Sequence, residues 1–221
     1  MQSSINNLLL LSVNLSDNVT ARAEQILRKN QPDWRLLLEY ARIHCIRPQL
    51  EKLLRSVAPG LVPDEVMQHL HDLNRENILR QLRGFSAFFE IKDILASRGI
   101  TVIPFKGVRL AEHYYGNIGD RDSYDVDLFI DIKDLEAIKQ VMTEAGYINT
   151  SIIRKLKDDY VKNQLCEYNF DKYEGDTCIQ HIEFHWSSSR KIFRLNIRMD
   201  ELSSQIINVR FQDKEIKAFS A

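Results

Sequence analysis

The chain has 221 residues, 30 Lys and Arg against 31 Asp and Glu for a formal net charge of -1, and 44% hydrophobic residues. That balance excludes a disordered or fibrous protein, and it excludes a surface that is wholly an electrostatic footprint for nucleic acid. The length gives one large domain or two small ones around a real core. Cys45, Cys166 and Cys178 are too scattered for a disulfide framework or a zinc cluster, and they read as small buried hydrophobes in a reducing compartment. The Leu8–Leu11 run is the sole candidate targeting segment, but it lacks a basic stretch before it and is broken by Ser12 and Asn14. No apolar stretch reaches membrane-spanning length, so the expected location is the cytoplasm and no membrane partner is expected.

In chain order, Trp34, Leu37, Leu38, Ala41, Ile46, Leu50, Leu53 and Leu54 recur at helical spacing, with Pro48 marking a break between two helices. Pro59-Gly60 and Pro63 punctuate the chain, and Asp64 caps a long helix from Glu65 through Ile78, Phe85, Phe88, Ile91 and Leu95, stopped by Gly99. A β-rich run over 100–105 follows, then the turn Lys106-Gly107 and a helix from Val108 to Tyr115. The polar loop 116–123 leads to a second strand, Tyr124–Ile130. A helix carrying Leu135, Ile138, Val141 and Met142 ends at Gly146, and Ile179–Trp186 alternates like a third strand. The segment 206–219 reads as a hairpin turning near Gln212-Asp213. Strands and helices alternate behind a helical N-terminal region, which predicts an α/β or α+β core.

Asp125 and Asp127 are two apart in the second strand, so both carboxylates project to one side while Val126, Leu128 and Ile130 face the core. Like charges held side by side are tolerated on the solvated face of an edge strand, or where a divalent cation neutralises them. Hard oxygen ligands suit Mg²⁺. Two features of the context favour the cation. The strand before Gly107 opens onto a helix N-terminus, where free N–H groups favour phosphate. The third strand places His181, Glu183 and His185 on one face, so Glu183 is a third acid able to converge on the pair.

These pieces, taken in order, resemble the DNA polymerase β-like nucleotidyltransferase superfamily. Phe105-Lys106-Gly107, Leu110-Ala111, Tyr115, Arg121, Asp125-Val126-Asp127-Leu128, Gly146-Tyr147 and Glu183-Phe184-His185-Trp186 are similar to a bacterial family known simply as nucleotidyltransferase family protein. The resemblance runs from about Trp34 to the C-terminus. It implies an α+β fold with a small mixed sheet flanked by helices and a helical N-terminal region. The expected division is a helical region over 1–72, a nucleotidyltransferase core over 73–190 and a C-terminal β extension over 191–221.

The resemblance further implies two-metal chemistry, in which an NTP donates its nucleotidyl group to an acceptor and pyrophosphate leaves. Carried onto this sequence, Asp125, Asp127 and Glu183 hold the Mg²⁺ ions, with Mn²⁺ as a substitute, and Glu183 also helps activate the acceptor. Gly107, Val108 and the N–H groups after them cradle the phosphates, while Lys106 and Arg121 stabilise the charge at the transferred phosphorus. The acceptor, whether small molecule, protein or RNA, and the oligomeric state are not readable.

One residue departs from the superfamily pattern, which has Gly-Ser where this chain has Gly107-Val108. Valine cannot donate a hydroxyl hydrogen bond to a triphosphate. That keeps open a catalytically degenerate interaction module, and Lys-Gly with Asp-x-Asp keeps open a toxin-type enzyme acting on tRNA. His181, Glu183 and His185 are alternatively a transition-metal site with Asp125 or Asp127. Arg121 is alternatively a structural clamp, and Tyr114 and Tyr115 stack on a base or fill core. Trp186 shares the core parity of Ile182 and Phe184. Members of the family continue into a further helical region, whereas this chain stops at Ser220-Ala221, so its C-terminal end reads as incomplete.

Overall fold

The computed structural model describes residues 2–14, 16–106, 116–150, 160, 164–190, 192, 197, 199–211 and 214–220. The chain divides into two units, residues 1–81 with 111–123, and residues 82–110 with 124–221.

The first unit holds α1 (Gln2–Ser12), α2 (Val19–Lys29), α3 (Trp34–Ile43), α4 (Arg47–Ser56) and the start of α5 (Asp64–Ser97). The Asp33 carboxylate caps α3 by accepting from the Leu36 N–H at 3.0 Å. Cys45 takes a left-handed φ of 54°, a position where glycine is usual, and stops the helix. Pro48 then sits in the first turn of α4, where a missing N–H costs nothing. Leu8, Leu27, Leu37, Ala41, Leu50 and Leu70 from all five helices form one core. Here the structure changes the reading of the leucine run: Leu8, Leu9 and Leu11 are buried core residues of α1, and only Leu10 faces solvent.

A polar layer in the same unit fastens the loop before the acidic strand. Arg47 makes a bidentate pair with Asp122 at 2.6 and 2.7 Å. Asn77 donates to the Arg121 carbonyl at 2.9 Å, Gln81 to the Ser123 carbonyl at 2.8 Å, and Gln49 to the Asp120 carbonyl at 2.6 Å. The loop thereby satisfies carbonyls that a buried irregular segment would otherwise leave bare.

The second unit holds the rest of α5, a mixed sheet, α6 (Leu135–Glu144) and the short α7 (Met199–Leu202). The sheet is built from β1 (Ile103–Pro104), β2 (Val126–Phe129), β3 (Ile148–Asn149), β4 (Glu167–Glu174) and β5 (Thr177–His185), in the order β1-β2-β5-β4-β3. Only β2 and β5 run parallel; the other neighbours are antiparallel. A separate hairpin, β6 (Ile206–Phe211) with β7 (Lys214–Phe219), stacks Phe211 on Phe85 at 4.9 Å and sets Phe219 against Phe129 at 5.6 Å. This is the α+β class expected, with a small mixed sheet and a helical N-terminal region.

Several local expectations shift. The acidic strand is shorter than 124–130, and it is not at an edge: β1 and β5 flank β2, whose four residues are all buried. β3 and β4 went unread. Cys45 and Cys178 are exposed, and only Cys166 is buried. Gly107, Val108, Tyr114, Tyr115 and the helix expected there lie outside the described residues, as does the Gln212-Asp213 turn. Among the described residues, no helix is long and apolar enough to cross a membrane.

Gly84 lets α5 approach β2 closely, since a Cβ there would stand 3.0 Å from Val126 Cγ2. Gly84→Leu is expected to cost about 1–3 kcal/mol through overpacking, despite the better helix propensity. Urea unfolding measures it, and an unchanged midpoint would mean that the helix has room to spare.

Candidate active site

Strand β2 brings Asp127 inside the protein. Its flanking residues Val126, Leu128 and Phe129 are apolar, so the segment is drawn into the sheet interior, and the Asp127 carboxylate is carried with it to 4% exposure. Parallel pairing sets Asp127 opposite Glu183 on β5, so both side chains rise from the same face. Asp125 stands one residue ahead of β2 and is half-buried.

The face of β5 alternates His181, Glu183 and His185, and β4 lays a second row beside it. Cross-strand pairs are Asp171 with His181, Asn169 with Glu183, and Glu167 with His185. His185 Nε2 lies 2.9 Å from Asp127 Oδ1 and 3.2 Å from Glu183 Oε2. His181 Nε2 lies 3.1 Å from Glu183 Oε1, while its Nδ1 meets Asp171 Oδ1. Asn169 Nδ2 donates to Glu183 Oε1 at 3.5 Å. The opposite parity, Tyr168, Phe170, Ile182 and Phe184, is buried and apolar, so one sheet serves chemistry on one side and packing on the other.

Lys106 reaches this face from the end of β1. The Phe105 N–H donates to the Asp127 carbonyl at 3.0 Å, which continues the ladder one residue beyond β1. Lys106 Nζ consequently sits 3.5 Å from Asp127 Oδ1 and remains half-exposed. The Phe105 ring, 5.5 Å from the His185 ring, covers part of the apolar border. Arg121 belongs to the first unit, where its guanidinium donates to Ser123 Oγ at 2.9 Å.

The electrostatics follow from these contacts. Burial pulls the His185 imidazole down, but hydrogen bonds with Asp127, Cys166 and Glu183 outweigh it and the ring is pushed up to about 10. The hydrogen bond to Glu183, with help from Asp171 and against burial, raises His181 to about 9. Hydrogen bonds from His181 and then His185 hold the Glu183 carboxyl well below the usual carboxylate range. The two rings thus stand as cations among carboxylates. The ligand atoms of Asp127, Glu183 and His185 lie within 4.8 Å of one another, close enough to hold one metal ion.

Sequence reasoning placed Asp127, Glu183 and Lys106 on one strand system, and the structure brings them together. It missed Glu167, Asn169 and Asp171. Gly175-Asp176 between two alternating runs is a hairpin signal that would have found β4; Gly175 takes φ 59°, the conformation a two-residue turn opening on glycine requires.

No curated protein sequence matches the chain. A crystal structure of the lincosamide antibiotic adenylyltransferase LnuA with lincomycin bound is similar at 14% identity and a TM-score of 0.41, covering 60% of this chain and 78% of that one. Residues 30–221, which include every acid, imidazole and cation of the site just described, match the family model described as uncharacterised nucleotidyltransferase, and the chain belongs to that family.

Proposed function

We propose that the protein is a metal-dependent nucleotidyltransferase that moves an NMP group from an NTP to an acceptor and releases pyrophosphate. The observation that carries this reading is the register pairing of Asp127 with Glu183 on adjacent parallel strands, with Lys106 beside them, in a chain of a nucleotidyltransferase family. The metal is Mg²⁺, or Mn²⁺ in its place, held by Asp127 and Glu183 with Asp125 as the third acid. The donor set fits: carboxylate oxygens suit a hard cation, and the ligand atoms of Asp127 and Glu183 are already close. When bound, the cation supplies Lewis-acid charge to phosphoryl oxygens.

The chain's own residues do the rest. Lys106 carries the nearest described ammonium to Asp127 and stabilises negative charge on the transferred phosphoryl group. His181 and His185 hold Glu183 ionised, which makes it a good anionic ligand but, against the expectation that it also activates the acceptor, a weak proton acceptor. Gly107, Val108 and Arg121 complete the phosphate-binding set of this proposal, with the catalytic core over 73–190, the helical region over 1–72 and the β extension over 191–221. The scattered cysteines favour a cytoplasmic setting for it.

The test is transfer of label from each α-labelled NTP to components of a cell extract. Label transfer that requires Mg²⁺ or Mn²⁺ and stops with chelator is the expected result, and the labelled species identifies the acceptor. Label on tRNA would select the toxin-type enzyme. No pyrophosphate release with any NTP and either metal would leave a degenerate interaction module as the better reading.

A further inference from the structure

The second ring nitrogen of His185 faces a donor set that nucleotidyl transfer does not use. Its Nδ1 lies 3.6 Å from Glu167 Oε2, and Glu167 Oε2 lies 3.7 Å from Cys166 Sγ. One ligand atom from each of the three residues falls within 4.8 Å of the others. The arrangement is built into the backbone. Cys166 and Glu167 are adjacent at the entry to β4, Glu167 is the register partner of His185, and the Trp186 N–H donates to the Cys166 carbonyl at 2.9 Å. Cys166 is 7% exposed and the His185 side chain 3%, whereas the Glu167 side chain is 31% exposed, so solvent reaches the set over Glu167.

Thiolate, imidazole and carboxylate together are ligands for zinc. Tetrahedral bonds of about 2.0–2.3 Å put neighbouring ligand atoms about 3.3–3.6 Å apart. The two distances given above need only a few tenths of an ångström of contraction to meet that. Mg²⁺, which takes oxygen ligands, gains nothing from a thiol, so the set is chemically distinct from the paired acids.

We propose that Cys166, Glu167 and His185 form a zinc-binding site, with the fourth position open to water or a small ligand. Zinc bound through the Sγ thiolate and Nδ1, with the protons it displaces released to solvent, leaves Nε2 as the one protonated ring nitrogen, 2.9 Å from Asp127 Oδ1. A zinc-ligating histidine that donates its other N–H to a carboxylate is a recurrent arrangement, and here that carboxylate is the central acid of the active site. His185 is thereby a positioning residue through which zinc occupancy orients Asp127. The site stands on its own donor set and survives if the transferase reading fails.

Co²⁺, titrated into the full chain, is the probe. The expected result is a thiolate-to-cobalt charge-transfer band that Zn²⁺ abolishes and excess Mg²⁺ leaves intact. Cys166→Ser removes the band, and Asp127→Asn retains it. A second arm needs no variant: Zn²⁺ slows alkylation of Cys166 in the wild-type protein by at least about tenfold and leaves the exposed Cys45 and Cys178 unprotected. Cobalt bound without a thiolate band would place it at Asp127, Glu183 and His185 and overturn the proposal. So would a band that persists in Cys166→Ser, or Cys166 alkylation unaffected by zinc.

Discussion

Asp127→Asn is expected to lower NTP turnover at least about a thousandfold, or about 4 kcal/mol of transition-state stabilisation, while the protein stays folded. The substitution keeps volume and one carbonyl acceptor, so the 2.9 Å contact with His185 Nε2 survives with a neutral acceptor in place of the carboxylate. What disappears is the charge. A cation loses an anionic ligand, Lys106 loses its carboxylate partner, and one of the hydrogen bonds that hold His185 protonated weakens. Asp127 is also 4% exposed, so water cannot replace the missing ligand at small cost. Pyrophosphate release measures the effect, and a thermal melt confirms that the variant is folded. Turnover within about tenfold of wild type would mean that Asp127 does not hold the metal, and the proposed centre would have to be sought elsewhere.

The acid strand was readable because strand alternation is local: Val126, Asp127, Leu128 and Phe129 announce a buried segment with an anomalous carboxylate inside it. Its meeting with Glu183 was an expectation only. Asp127 and His185 are separated by 58 residues, and no local pattern encodes the register that joins them. β4 escaped because Glu167, Asn169, Asp171, Lys172 and Glu174 make more than half of it polar, and a strand that lines a site looks like a loop unless its turn is recognised. The burial of His185 is not legible in its own segment, because it comes from Phe105 and the sheet neighbours. In α1 the four consecutive leucines concealed their helical period, and only the packed helices reveal that Leu10 alone faces outward.

Asp122→Ala, or Arg47→Met, is expected to destabilise the first unit by about 3–5 kcal/mol. The two side chains are 75 residues apart in sequence and meet in a bidentate pair at 2.6 and 2.7 Å, with side-chain exposures of 5% and 0%. Either single substitution leaves a buried charge without its counter-ion, and that penalty, rather than the attraction itself, sets the size of the effect. The loop adds to it. Asp122 lies among carbonyls already committed to Gln49, Asn77 and Gln81, so the loop cannot swing outward to hydrate the orphaned partner without breaking those bonds. The double variant Arg47→Met with Asp122→Leu discriminates between the two causes. If the cost arises from an unpaired charge, the double variant recovers most of the lost stability, because apolar groups of similar size fill the site. If the hydrogen-bonded geometry itself holds the loop, the double variant stays as unstable as either single one. Urea unfolding of the three variants decides, and single-variant losses below about 1 kcal/mol would show the pair to be as weak as one on the surface.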